Sequence, residues 1–224
     1  MRSFIGGNMD VPVKERNAWI RFLLSLLFRN PEAVAELREQ VLTLYRESFR
    51  RLRENYEELR PSDFPPTLEE FDARTNPNSG AIIASNFLQQ IMNSEGIANR
   101  LVRMRWGRLN LRRSRHTLLT SDRPLCLPMH FETTSVAILL PISPLVAFTA
   151  AENDLALQAL AHGDHTTMAL QINQQIVSQA RQYVWALDDC ALSFVQKYIC
   201  TLPDRKLIPD EAKEVTRKQA RGEA

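Results

Sequence analysis

The spacing of apolar residues changes near Leu101, and that change limits the fold more than any other feature of this 224-residue chain. Before it, apolar positions recur at intervals near the helical period; after it they come in short runs and alternations typical of strands. Asn30 followed by Pro31 reads as a cap with proline at the first helical position, and Val34, Leu37, Val41, Leu44, Leu52, Tyr56 and Leu59 continue one stripe. The spacing predicts a helix of about 28 residues, about 40 Å long at the usual rise. Pro61, Pro65 and Pro66 end it. Ahead of it, Lys14 to Phe28 is apolar on nearly every side. Such a helix needs cover from several neighbours, or from a second copy of the chain bound through residues 19–28. A third helix is expected from Ser79, with Ile83, Phe87, Ile91, Ala98 and Leu101 on one face.

Beyond Leu101 the pattern predicts strands. In Arg103 to Arg112, Met104 and Trp106 lie on one parity and Leu109 and Leu111 on the other. With one face in water, an extra residue at Gly107 restores the register, so a bulge is expected there, with Arg103, Arg105, Arg108, Asn110 and Arg112 on the wet face. Short strands are expected at His116 to Thr120 and Tyr183 to Ala186, and longer ones at Val136 to Ile142 and Leu145 to Ala150. Asp164 reads as the cap of a helix that buries Ala169, Ile172, Ile176 and Ala180, and Cys190 to Ile199 as a last short helix. The expected class is α+β: N-terminal helices, one of them long, packed on a small mixed or antiparallel sheet, with a further C-terminal helix. Residues 1–202 are expected to form one domain, helical over 14–102 and strand-rich over 103–202, followed by a charged, disordered tail at 203–224.

Charge is distributed unevenly along this chain. The net charge of +2 is too small to attract a polyanion to the whole molecule, so a polyanion site must be local. Between Glu95 and Asp122 there is no acidic residue, while Arg100, Arg103, Arg105, Arg108, Arg112, Arg113 and Arg115 all fall there. A guanidinium fork matches phosphate oxygens, so Arg103, Arg105, Arg108 and Arg112 are candidates for contact with nucleic acid or another polyanion; the plain alternative is an exposed strand face, or one paired with acids from a helix. Cys126, Cys190 and Cys200 make no C-x-x-C pair, which argues against a disulfide framework or thiolate zinc site and suits a reducing, cytoplasmic setting. The first ten residues do not read as a signal peptide, and the longest apolar stretch, residues 19–28, is too short to cross a membrane. Phosphate-loop, dinucleotide and H-E-x-x-H motifs are absent.

Single residues that carry chemistry are few. Asp122, at the end of Leu118-Leu119-Thr120-Ser121, is the candidate base or metal ligand, with turn formation beside Pro124 as the plain reading. Asn173 falls on a buried helical stripe and is read as a core anchor, and Ser143, set between Pro141 and Pro144, as a structural polar residue with no base beside it. His162 and His165 are spaced like ligands, but no third ligand follows, so no metal site is assigned.

The order of these motifs carries more than any one of them. Trp19-Ile-Arg21-Phe22, Arg29-Asn-Pro31, Trp106, Leu119-Thr-Ser-Asp122-Arg-Pro124, Pro141-Ile-Ser-Pro144, Asn173 and Tyr183-Val184 resemble the uncharacterised, mainly bacterial family known as domain of unknown function 4238. The resemblance spans about residues 15–190 and implies no activity, since the family has none established. Its members usually begin with a segment of the form His-x-x-Pro-Gln-x-Tyr, which this chain lacks, and the resemblance therefore implies an incomplete or reduced version. Two functions are expected from the sequence. One is a cytoplasmic binding module that meets nucleic acid or another polyanion through the arginine strand, with no cofactor. The other is a hydrolase acting on phosphodiesters with a divalent metal at Asp122.

Overall fold

A computed structural model describes residues 11–28, 30–75, 101–130 and 135–203, with single positions at 82, 83, 85, 86, 89, 90, 99, 214 and 218. Most of the helix expected from Ser79 and of the charged tail lies outside the described residues; the positions described within 82–103 are helical. Contacts divide the chain into two compact units, one of residues 1–27 with 94–204 and the other of residues 28–93 with 205–224. The first helix therefore belongs with the strands.

In the second unit, α2 (Pro31–Glu54) begins as the sequence predicts: the Asn30 side chain accepts from the Ala33 N–H at 2.7 Å and Pro31 opens the first turn. Its last residues give way at Asn55 to one more turn, α3 (Tyr56–Leu59). After the prolines comes α4 (Leu68–Thr75). The Tyr56 hydroxyl donates to the Pro65 carbonyl at 3.0 Å, and Phe64 stacks on Phe71, which folds the proline segment back onto its flanking helices.

The first unit has the α+β build that the sequence predicts. Its elements are α1 (Val13–Phe28), β1 (Arg105–Asn110), β2 (Thr120–Ser121), β3 (Met129–His130), β4 (Ser135–Val136), β5 (Ile138–Ser143), β6 (Val146–Ala151), α5 (Asp154–His162), α6 (His165–Gln179), β7 (Val184–Trp185) and α7 (Leu192–Tyr198). The main sheet is antiparallel in the order β1, β6, β5, with β2–β7 and β3–β4 as separate two-stranded pairs. The sheet's irregularity is in β5, between Pro141 and Ser143, where proline cannot donate to the ladder.

The ladder between β1 and β6 is unbroken from Arg105–Ala151 to Asn110–Val146, and Gly107 pairs directly with Thr149. The bulge expected at Gly107 is therefore absent, and the reason is packing. The parity argument assumed one wet face, whereas this sheet is covered on both. Residues opposed across an antiparallel ladder share a face. Trp106, Phe148, Ala150, Ile138 and Leu140 turn one way, where Phe148 meets Trp19 of α1 and Trp106 edge to face at 5.4 and 5.3 Å. Leu109, Ala147, Ala151 and Leu139 turn the other way and join Leu160, Met168, Ala169, Ile172, Ile176 and Val177 of α5 and α6 in the core. Central β6 is buried at all six positions. Full burial on both sides accounts for its nearly uninterrupted apolar sequence.

Helix α1 buries Trp19, Ile20, Leu23, Leu24 and Phe28 but leaves Phe22 38% exposed, so one side of it stays open. Arg16 of α1 donates to the Val102 and Met104 carbonyls at 2.9 and 2.8 Å and lies 4.0 Å over the Trp106 ring. Burial, with Arg105 nearby, lowers the Arg16 guanidinium from its usual value. No helix among the described residues is long and apolar enough to cross a membrane.

Candidate functional site

Two places gather the polar residues named from sequence. The first is the loop from Thr117 to Leu125, which lies along α6. Asn173, buried on that helix, accepts from the Leu119 N–H and donates to the Thr117 carbonyl, both at 2.8 Å. Ser121 is buried, donates to the Ile176 carbonyl at 3.3 Å and accepts from the Arg123 N–H at 3.1 Å. Gln179 donates to the carbonyls of Arg123 and Leu125. Asp122 accepts from the Arg181 N–H with both oxygens, at 3.1 and 3.3 Å, and from the Gln182 N–H at 2.8 Å, while its own N–H donates to the Tyr183 carbonyl. The carboxylate thus holds the chain where it leaves α6 and turns into β7. Among the described residues no three His, Cys, Asp or Glu side chains come close enough to share a metal ion.

Beside this loop Ser143, Pro144 and Pro141 line a cavity of about 230 Å³ with Thr120, Leu119 and Trp185. Cys126, which exchanges main-chain hydrogen bonds with Leu139 of β5, is fully buried, and burial pushes its thiol up to about 12.

The second place is a larger cleft of about 460 Å³ between β1, the turn after it, and α5. The turn is ordered by its own side chains. Asn110 Oδ1 accepts from the Arg112 N–H, the Leu111 carbonyl accepts from the Ser114 N–H, and the Arg115 N–H donates to Thr166 Oγ1 at the start of α6. That turn sets Arg112 and Arg113 at the cleft, with Arg108 and Asn110 of β1 and His165 of α6. Leu109, Leu157, Leu160 and Ala161 supply the apolar wall, and among the described residues no carboxylate lines it. Asp164 next to His165 is engaged as the α6 cap: bonded by the Thr167 side chain and N–H, its carboxyl is held below its ordinary value.

Thr149 is the one polar residue of β6 and is 1% exposed, yet its Oγ1 has no hydrogen-bond partner, and neither does buried Nδ1 of His165. An unpartnered buried polar atom costs about 1 to 3 kcal/mol, so both call for an explanation. Gly107 faces Thr149 across the ladder, and a Cβ there would lie 3.1 Å from Oγ1 and 2.9 Å from Leu157 Cδ2.

The arginines expected on one strand face are divided. Arg105 shares the α5 side with Gly107 and reaches Asp154 at 3.5 Å, an exposed pair worth little. Arg108 pairs with Phe148 on the α1 side, Arg103 ends the helical turn before β1, and Arg112 lies in the turn after it. Of the four, Arg108 and Arg112 border the larger cleft, Arg108 from a position whose side chain turns toward α1. Sequence reasoning missed Gly107 and Thr149 as site residues, and the signal for the latter was a lone threonine inside an apolar strand.

The motif order noted in the sequence agrees with a match over residues 7–189 to the family model described as protein of unknown function (DUF4238). The chain belongs to this family. No curated protein and no solved structure matches it. In this DUF4238 chain the Thr-Ser-Asp-x-Pro residues, Asn173 and Tyr183 therefore meet in the loop that α6 holds, and the Pro-x-Ser-Pro residues form the wall of the small cavity beside it.

Proposed function

We propose that this DUF4238 chain is a binding domain for a phosphate-bearing ligand, held at the larger cleft by Arg112 and Arg113. The observation that supports it is the lining itself: Arg112, Arg113 and His165 line one cavity, with no carboxylate among its described residues. Guanidinium groups offer phosphate a planar fork of donors, and a cleft with apolar walls strengthens each contact relative to open solvent. Contacts of this kind hold a phosphate without reading a base sequence, so nucleic acid bound here is bound without sequence preference.

The test is a titration with a single-stranded oligonucleotide and with inorganic phosphate. Two engaged phosphates give log affinity a slope of about −1.4 against log salt. Replacing Arg112 and Arg113 together by serine should weaken binding of every sequence alike and flatten that slope, while Arg103→Ser, outside the cleft, should leave it in place. Absence of any complex at low salt, or equal binding by the double variant, overturns the proposal.

A further inference from the structure

The larger cleft has a floor that phosphate alone would not use. Thr149, 1% exposed on β6, ends in a hydroxyl with no partner, and His165 Nδ1 is a second buried atom of the same lining without one. Gly107, directly across the ladder, has no side chain, and the flexible end of Leu157 takes up that place beside the hydroxyl: a Cβ would sit 2.9 Å from Leu157 Cδ2 and 3.1 Å from Thr149 Oγ1, so a ligand group reaches the hydroxyl where Leu157 swings aside. Leu109, Leu157 and Leu160 supply the apolar part of the same lining, and Arg112 and Arg113 of the turn its cations. The volume, about 460 Å³, falls within the range of small-molecule pockets and is far below what a duplex needs.

Building on the phosphate reading above, we propose that the cleft takes a small organic phosphate of mononucleotide size. Its phosphate lies at Arg112 and Arg113, its flat or apolar body lies along Leu157 and Leu160, and a polar group on that body bonds to Thr149 Oγ1. Each part of the cleft then has a use: the cations hold the charge, the leucines cover the body, and the buried hydroxyl gains the partner it lacks. A longer strand would engage only the arginines. A mononucleotide engages the arginines and the floor together.

Calorimetric titration of the full chain with adenosine monophosphate and with inorganic phosphate tests this. Wild type should bind adenosine monophosphate more tightly than inorganic phosphate. Thr149→Val removes the hydroxyl and keeps the shape, and since the hydroxyl has no partner to lose, the fold should survive, as a melting curve would verify. The variant should bind adenosine monophosphate about tenfold more weakly, the loss of about one hydrogen bond, with phosphate binding unchanged. Gly107→Ala, whose methyl group crowds Leu157 and Thr149, should act in the same direction. The serine double variant at Arg112 and Arg113 should weaken both ligands. If Thr149→Val and Gly107→Ala bind adenosine monophosphate as wild type does, or if wild type prefers neither ligand, this inference is overturned while the phosphate reading stands. If neither ligand binds wild type, both are overturned.

Discussion

The loop held by α6 and the cleft beside β1 are both lined with polar side chains, but they differ in what those side chains do. In the loop, Asn173, Ser121, Gln179 and Asp122 each bond to main-chain groups, so the side chains supply what a strand partner would otherwise have supplied. In the cleft, Thr149 Oγ1 and His165 Nδ1 are buried and have no hydrogen-bond partner, and Arg112 and Arg113 share the lining with no carboxylate among its described residues. Buried polar groups in native proteins are nearly all paired, so the first arrangement is how a chain is held in shape and the second is the exception that asks for a ligand. The residues that hold the loop in shape and the residues that suit a ligand are thus largely different sets.

Substitutions should separate the two regions. The largest effect is expected at Asn173→Ala, which leaves the Leu119 N–H and Thr117 carbonyl without their partner. A cost of about 2 to 5 kcal/mol is expected, read as a lowered urea midpoint with unchanged slope. A cost near zero would mean that the loop is held by something else. Asp122→Ala should cost about 1 kcal/mol, because three contacts to main-chain N–H groups are lost at an exposed position open to water. The same variant should keep its phosphate affinity, and a loss there would join the two regions into one site. Thr149→Val should go the other way, with stability unchanged or raised by about 1 kcal/mol, since a buried hydroxyl without a partner is removed. A clear destabilisation would show that the hydroxyl is paired.

The smallest effect concerns the α6 cap. The Asp164 carboxyl lies below its ordinary value when folded, so its contribution is fully present above the unfolded value and is lost as pH falls through the folded one. Melting curves of wild type and Asp164→Ala should therefore differ near neutral pH and converge in acid. A gap that persists well below the usual aspartate range would assign the effect to something other than the ionised cap.

Much of the fold was legible because local signals were sufficient for it. Asn30-Pro31, Asp164 and the apolar run of β5 each act through neighbours in sequence. The bulge argument failed at Gly107 because the cover for Trp106 comes from α1, far upstream, and no local pattern reports a second layer. Asn173 was legible as an anchor from its place on an apolar stripe, whereas the partners of Asp122 were not, being main-chain N–H groups 59 and 60 residues away. The cleft was legible in part: the arginines were visible as a row, but their division between two faces, and the assembly of Thr149, Leu157 and His165 opposite them, depends on tertiary packing.

The covering of the sheet by α1 also sets an order of events during synthesis. Arg16 bonds to carbonyls 86 and 88 residues further along, and Phe148, the partner of Trp19, comes later still. At about 5 to 20 residues per second, α1 waits on the order of ten seconds before β1 emerges from the ribosome. During that interval Trp19, Ile20, Leu23 and Leu24 have no sheet to cover them. The nascent chain therefore passes through a stage in which its first helix is a target for chaperones. Ribosome-bound chains arrested before Leu101 should crosslink to a chaperone through α1, and chains arrested well after Ala151 should not.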